Sequence, residues 1–313
     1  MVIVDTHCDT LTKIMEKKES LYKNSCHVDL ERLQKLGNTV QFFAAFVDPA
    51  VYGQAYSMKR AVQIIDKFYE QLDVYNNMMM LCCNFNEIQT AFTQGKVAAF
   101  LSIEGGDALQ GDLSALRIFY RLGVRSICLT WNHRNEIADG AADASSGGGL
   151  TPFGRDVVNE MNALGMLIDL SHMAEKGFWD TMETTNSPVI VSHSNAKKIC
   201  DHRRNLTDQQ IKALKDNGGV MGINLFPHFL TGTEYASFKD VIRHIEHIMG
   251  LVGCDTLGLG ADFDGIYVTP LDLEGIQDIN KIFNELLKLN YPEDTVKKLA
   301  GENFMRVIQK VLK

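Results

Sequence analysis

Metal-binding side chains recur in this sequence at the ends of short apolar segments. His7 and Asp9 follow the apolar run that begins at Val2. Because they are two residues apart, an extended chain points both side chains to the same side. An imidazole and a carboxylate that converge in this way can bind a metal ion. Such a pair is common at strand ends without a metal, so it indicates a metal site only if further ligands lie nearby.

Three later segments supply such ligands. Glu104 follows the apolar run 98–103, where a carboxylate is costly to bury unless it is paired or bound to a cation. Two further apolar runs each end in Ser-His, which gives His172 and His193. A single histidine at a strand end is more often a structural residue. Two of them after consecutive segments indicate that their imidazoles meet.

The apolar segments that carry these residues have the character of buried parallel strands. Each is nearly continuous in apolar or β-branched residues, and amphipathic segments separate them. One of these begins at Thr207, with Gln210 three residues on as a capping-box partner. The predicted strands are Val2–Asp5, Val40–Phe46, Val97–Ile103, Ser126–Thr130, Met166–Leu170, Val189–Ser192, Val220–Asn224 and Thr256–Gly260.

Eight parallel strands with helices between them close naturally into a barrel. We therefore predict an α/β protein with a single (β/α)8 TIM-type barrel domain over residues 1–313. In this fold the functional residues gather at the C-terminal ends of the strands, which is where the candidate ligands occur. A doubly wound open sheet is the structural alternative.

The last predicted strand orients one more carboxylate. Its leucines share one parity, and its glycines share the other parity with Asp262, so Asp262 is predicted to face the barrel axis. Asp264 lies further out, where a turn begins. We predict that Asp262 does chemistry and that Asp264 serves the turn or supports the site.

The candidate ligands are too many for one catalytic ion that keeps a position open for water. They suffice for two ions if Glu104 bridges them, and such a pair can hold a hydroxide at neutral pH and polarise a carbonyl group. Asp262 would accept the proton of the bridging water and pass it to a leaving amine. We predict two Zn2+ per chain, although manganese, cobalt or iron would suit the same ligands. The predicted ligands are His7, Asp9, Glu104, His172 and His193.

Composition and charge exclude other classes of protein. The net charge of −8 and the absence of a basic run argue against a nucleic-acid partner. Seven cysteines without a CxxC pair indicate free thiols, so we predict a cytoplasmic protein. No apolar run approaches the roughly 20 residues that span a bilayer, and the N-terminus lacks a signal-peptide pattern. We therefore expect no membrane partner. Three other histidines are predicted to lie at the surface: His27, His244 and His247.

Six ordered motifs built on these residues resemble the membrane (renal) dipeptidase family, a branch of the amidohydrolase-like metal barrels. The resemblance extends to GENFMRV at 301–307 and so covers almost the whole chain. The motifs are DTHCDT at 5–10, SIEGG at 102–106, IDLSH at 168–172, SHSNA at 192–196, RRN at 203–205 and GADFDG at 260–265.

The resemblance implies a zinc-dependent dipeptidase and a homodimer. It implies that the substrate is a dipeptide, often with a D-residue at the C-terminal position. By resemblance His7 and Asp9 bind one zinc, the two later histidines bind the other, and Glu104 bridges them. Asp262 matches the catalytic acid/base. Arg204 matches the residue that holds the substrate carboxylate, a role that suits the bidentate guanidinium; from the sequence alone, a surface salt bridge is the alternative.

Two departures from the family pattern touch substrate contacts. The animal members have a substrate-polarising histidine directly after a Leu-Thr pair, where this chain has Trp131. The nearest imidazole is His133, so either His133 takes over that role or the role is absent. A tyrosine of the animal members is replaced within the segment 226–229. The chain is also expected to lack their signal peptide and lipid-anchor tail, so membrane attachment is not carried over.

Two other functions remain open at this point. The chain could be another amidohydrolase-type enzyme that acts on a cyclic amide, an ester or a phosphoester. It could also be a non-catalytic metal-binding barrel, which is disfavoured because Asp262 accompanies a complete set of ligands. Arg204 discriminates between the enzymes, since a dipeptidase needs a cation for the free carboxylate of its substrate.

Overall fold

The computed structural model describes residues 1–313 and contains one nine-stranded sheet in which all pairings are parallel. Eight strands form a closed barrel in the order β1-β2-β4-β5-β6-β7-β8-β9, and β9 pairs with β1. The predicted (β/α)8 barrel is therefore confirmed. The strands are β1 (Ile3–Cys8), β2 (Thr39–Phe46), β3 (Met79–Leu81), β4 (Val97–Glu104), β5 (Val124–Cys128), β6 (Leu167–Asp169), β7 (Ile190–Ser194), β8 (Val220–Ile223) and β9 (Leu257–Leu259).

Helices lie between the strands and cover the barrel. Thr207 caps one of them as predicted: its hydroxyl accepts from the backbone N–H of Gln210, whose side chain accepts from the N–H of Thr207. The helices are α1 (Thr10–Lys17), α2 (Leu30–Lys35), α3 (Pro49–Tyr52), α4 (Ser57–Val74), α5 (Phe85–Thr93), α6 (Leu113–Arg121), α7 (Pro152–Leu164), α8 (Glu175–Thr184), α9 (Asp208–Asn217), α10 (Pro227–Leu230), α11 (Phe238–Val252), α12 (Asn280–Lys288), α13 (Glu293–Lys297) and α14 (Asn303–Val311). None of these helices combines the length and the apolar character needed to cross a bilayer.

The short strand β3 was not predicted. It pairs with the first residues of β4, Met79 opposite Val97, on the edge that β5 occupies further along. Three residues are too few to show either an alternating or a continuous apolar pattern, so the sequence carries no usable signal for this strand.

The C-terminal helix α14 closes the bottom of the barrel. Phe304 is 1% exposed and belongs to a cluster of inward-facing residues from the beginnings of the strands, among them Val4 and Val220. Gly258 leaves the space for its ring, because a Cβ atom there would lie 2.4 Å from Phe304. The end of the barrel where the strands terminate thus lies above this packed floor of side chains.

We expect Phe304→Ala to lower the free energy of unfolding by about 3–5 kcal/mol, since it leaves a cavity in this floor. Ile118→Ala is the matched control, because Ile118 is 50% exposed on the outside of α6. Urea denaturation of both variants measures the effect. Equal losses in the two variants would show that Phe304 does not act as the floor.

Candidate active site

The six predicted metal and acid/base residues converge at the C-terminal ends of the barrel strands. They come from β1, β4 and β7 or from the residues that follow β1, β6 and β9. All are buried, and four of them line a cavity of about 250 Å3 that opens to solvent. The exposed fractions are His7 2%, Asp9 4%, Glu104 5%, His172 7%, His193 0% and Asp262 8%.

Glu104 lies at the centre of this group and divides it. Its Oε2 is 3.4 Å from Nε2 of His7, which is itself 3.3 Å from Oδ2 of Asp9. Its Oε1 is 2.8 Å from Nε2 of His172 and 3.5 Å from Nε2 of His193. Each carboxylate oxygen therefore faces one of the two ligand pairs.

Hydrogen bonds on the outer side of two imidazoles leave their inner nitrogens free. Nδ1 of His172 lies 2.9 Å from Oδ1 of Asn132, which can only accept, and Nδ1 of His193 lies 2.8 Å from Oγ of Ser192. The two Nε2 atoms are 2.8 Å apart and both face Glu104. Lone pairs that converge in this way repel one another unless a cation lies among them, so the donor set fits a metal ion.

The buried carboxyl groups of Asp9, Glu104 and Asp262 all lie near the imidazole of His7. Oδ1 of Asp9 is buried without a hydrogen-bond partner, and Oδ1 of Asp262 is 3.8 Å from Nε2 of His7. Burial and the charge of Glu104 raise the pKa of Asp9 to about 6. Burial also lowers the pKa of His172 to about 3, which keeps its imidazole neutral, as metal binding requires. Cations would balance the charge of the carboxylates.

Asp262 has the environment of a proton carrier. Burial raises its pKa to about 7, and the charges of Glu104 and Asp9 contribute to the rise. Its Oδ2 accepts a 2.8 Å hydrogen bond from Nδ2 of Asn224, which fixes the carboxyl group and opposes the shift. A group that titrates near neutral pH can both accept and return a proton.

Asp264 supports the site through its hydrogen bonds. Its carboxylate accepts from Oγ1 of Thr10 at 2.5 Å and from the backbone N–H of His27 at 2.8 Å. Both Asp262 and Asp264 have a left-handed backbone, with φ of 62° and 69°. Aspartate and asparagine adopt this conformation more readily than other residues with side chains. These contacts hold the turn that carries Asp262.

Arg204 is buried without an ion pair. It is 5% exposed, its Nη2 donates to the carbonyl of His193 at 3.2 Å, and its Nε has no partner. The guanidinium lies 5.6 Å from the ring centre of Phe229, a residue that lines the main cavity, while Arg204 itself borders a smaller cavity of about 100 Å3. The surface salt bridge is thereby excluded, and part of the cation stays available to an anion.

His133 does not lie near the predicted metal and acid/base residues. Its side chain is 67% exposed and lies 3.4 Å from the Asp143 carboxylate, because the chain turns outward after Trp131 and Asn132. Of the two alternatives for this segment, the geometry therefore gives no support to the one in which His133 polarises the substrate. Trp131 and Asn132 line the cavity instead. Neither residue was predicted to belong to the site, because the family pattern indicates an imidazole in this segment.

His244 was predicted to lie at the surface, which is wrong. It is fully buried, its Nδ1 accepts from the N–H of Ala196, and its Nε2 donates to the carbonyl of Leu230. It therefore joins the segment after β7 to helix α10 as a neutral imidazole. The amphipathic pattern of α11 did not reveal that this histidine belongs to the inner face.

We expect this histidine to make folding stability depend on pH. Burial lowers the pKa of His244 below its ordinary value of 6.5, so the unfolded chain binds a proton that the folded chain resists. The resulting loss of stability begins as the pH falls below about 6.5 and is absent above it. Urea denaturation between about pH 8 and pH 5 should show a smaller decline for His244→Asn than for the unaltered chain. An unchanged decline would exclude this role.

Comparisons with known proteins agree with the site. A model of the membrane dipeptidase family, peptidase family M19, matches residues 1–313. The protein named dipeptidase tcpJ from Claviceps purpurea (strain 20.1) is 35% identical over 300 residues, which are 91% of this chain and 69% of that protein.

Solved structures show the same architecture. The crystal structure of dipeptidase AC, a metallopeptidase of family M19, has a TM-score of 0.92 at 27% identity and covers 100% of this chain and 99% of that one. A metallopeptidase from Rhodobacter sphaeroides, liganded with a phosphinate mimic of the dipeptide L-Ala-D-Ala, has a TM-score of 0.91 at 26% identity over 99% of each chain. The chain therefore belongs to the membrane dipeptidase family, peptidase family M19, and is a dipeptide-hydrolysing enzyme.

Proposed function

We propose that this chain hydrolyses the peptide bond of dipeptides with two zinc ions, one on each side of Glu104. The observation that carries the proposal is the division of the ligands: one oxygen of Glu104 faces His7, and the other faces His172 and His193. Asp9 completes the first set. We further propose that residues 1–313 act as one domain, which is the range that the family model matches.

When bound, the ions would supply a water of lowered pKa and polarise the scissile carbonyl. The chain supplies the proton transfers. Asp262 takes a proton from the attacking water and returns it to the leaving amine, while Asn224 holds the carboxyl group in one orientation. Arg204 binds the terminal carboxylate of the dipeptide. Phe226 and Trp131 line the cavity and limit the water around the reacting groups.

We propose that dipeptides with a D-residue at the C-terminal position are among the substrates. The support is the similarity to the Rhodobacter sphaeroides metallopeptidase, whose bound phosphinate mimics L-Ala-D-Ala. A homodimer is proposed from the family resemblance. A cytoplasmic location is proposed because all seven cysteines are free thiols. Light scattering of the purified chain tests the dimer.

The decisive experiment counts bound zinc and assays matched L-Xaa-L-Xaa and L-Xaa-D-Xaa dipeptides. Near two ions per chain with cleavage of dipeptides supports the proposal, and the ratio of the two series gives the stereochemical preference. Two ions without cleavage of any dipeptide would move the proposal to another amide or an ester. One ion or none would contradict the bridging role of Glu104.

We expect Arg204→Ala to raise KM for dipeptides about 10- to 100-fold. A hydrogen bond to a charged group contributes roughly 1.5–3 kcal/mol, and each 1.4 kcal/mol is a factor of ten. Arg204→Lys should recover part of the loss, since lysine keeps the charge but not the bidentate geometry. Steady-state kinetics measures the change. Arg203→Ala is the matched control, because Arg203 is the exposed neighbour; an equal rise there would refute the assignment.

A further inference from the structure

A chain of hydrogen bonds runs from a predicted metal ligand to a buried carboxylate. Nδ1 of His193 lies 2.8 Å from Oγ of Ser192, and Oγ of Ser192 makes a short hydrogen bond to Oδ2 of Asp169. Asp169 is 3% exposed and forms no ion pair. Its other oxygen accepts from the backbone N–H groups of Ser171 at 3.0 Å and Ser192 at 2.9 Å. The carboxylate thus ties the ends of β6 and β7 together.

The donor and acceptor groups determine the direction of each hydrogen bond between Asp169 and His193. A carboxylate can only accept, so the hydroxyl proton of Ser192 goes to Asp169. The oxygen of Ser192 then accepts from Nδ1–H of His193. Oγ of Ser171 accepts from the backbone N–H of His193 at 3.1 Å, and its proton is left for Oγ of Ser192 at 3.2 Å. The consequence is that Nε2 of His193, which faces Glu104, carries a lone pair.

We propose that Asp169 is a positioning residue for the metal centre, which acts through Ser192 to keep the proton of His193 on Nδ1. The inference rests on the metal site proposed above. Metal-binding histidines generally donate their outer N–H to a carboxylate, a carbonyl or water, which fixes the ring and raises the basicity of the binding nitrogen. Here a serine hydroxyl stands between the histidine and the carboxylate. His172 lacks such a relay, because its Nδ1 contacts the neutral amide of Asn132.

Asp169→Asn is a sharp test because it reverses the direction of the hydrogen bonds from Asp169 to His193 while it keeps the shape of the side chain. The new amide oxygen can still accept from the backbone N–H groups of Ser171 and Ser192. Its NH2 group would then donate to Oγ of Ser192, whose proton no longer has a carboxylate acceptor and can turn to Nδ1 of His193. That arrangement moves the imidazole proton to Nε2, the nitrogen that should bind the metal. Ser192→Ala removes the relay without imposing the wrong tautomer.

The first readout is zinc binding by the full-length chain in competition with a chelator. Loss of a supporting contact typically weakens metal binding 10- to 100-fold. We expect about 100-fold weaker binding of one of the two ions in Asp169→Asn and about 10-fold weaker binding in Ser192→Ala. Ser192→Thr keeps a hydroxyl and should restore affinity. Ser102→Ala is the matched control, since Ser102 of β4 has a buried hydroxyl without a hydrogen-bond partner and takes no part in the relay.

The second readout is the tautomer of His193, measured by 15N NMR of the histidine rings after zinc is removed. We expect protonated Nδ1 in the unaltered chain and protonated Nε2 in Asp169→Asn. Unchanged zinc affinity together with an unchanged tautomer in Asp169→Asn would overturn the proposal. If that variant does not fold, equal zinc affinity in Ser192→Ala and Ser192→Thr overturns it. Failure of the unaltered chain to bind zinc would instead contradict the proposed function, and the tautomer would still decide the relay.

Discussion

Asp262→Asn is expected to lower kcat for dipeptides by about 100- to 10,000-fold while both metal ions stay bound. Proton transfer by a positioned side chain contributes a factor of this size, and an amide cannot accept the proton of the attacking water. The substitution keeps the shape of the side chain, and asparagine tolerates the left-handed backbone at this position. Burial raises the pKa of Asp262 to about 7, so replacing it should not destabilise the fold.

Asp264→Asn is the matched control for this experiment. The same chemical change then occurs two residues away, at a residue with the same backbone conformation that is tied to Thr10 and His27. We expect it to lower the thermal midpoint of unfolding and to change kcat less than tenfold. Metal content of both variants is counted beside the kinetics. Full turnover in Asp262→Asn, or a larger kinetic loss in Asp264→Asn, would mean that the acid/base has been misassigned.

Glu104→Gln is the second change with a large expected effect. The amide removes the negative charge shared by His7 on one side and by His172 and His193 on the other. It also presents an NH2 group to one of the two ligand pairs, where a cation should be bound. We expect fewer than two zinc ions per chain and a zinc affinity lowered by more than about 100-fold, the upper limit for loss of a mere supporting contact.

Metal counting after dialysis, followed by dipeptide kinetics with added zinc, measures this effect. Glu302→Gln serves as the control, because Glu302 is an exposed residue next to α14, far from the cavity lining. Partial recovery of turnover at high zinc concentration would fit a weakened site. Two tightly bound ions in Glu104→Gln would contradict the bridging role of Glu104. The histidines would then hold the metals without a bridging carboxylate.

Strand periodicity predicted the parts of the site that lie within or directly after regular strands. The two leucines of β9 lie in the outer part of the core and Gly258 faces Phe304 inside the barrel, as parity requires. Asp262 also lines the cavity, but β9 ends at Leu259 and Asp262 has a left-handed backbone, so strand alternation alone does not account for its orientation. Within a strand the alternation holds because neighbouring side chains point to opposite faces, and this does not depend on the rest of the fold.

Periodicity could not predict side chains that depend on the path of a loop. Trp131 and Asn132 turn toward the cavity and His133 turns away, yet all three follow the same strand. No local pattern distinguishes them, since the outward turn is set by contacts such as that between His133 and Asp143. The contact of Asn132 with His172, forty residues away, is likewise a product of the closed barrel.

The pairing of β9 with β1 has a consequence for how the protein folds during synthesis. The backbone N–H of Ala261 donates to Asp5, and 256 residues separate the two. Contacts of such sequence separation form late, because closing so long a loop is entropically unfavourable and slow. During synthesis on the ribosome, the strand that carries His7 cannot pair with β9 until the chain around Asp262 has emerged. Metal insertion should therefore be a late event of maturation, and zinc uptake during refolding should follow the slowest phase.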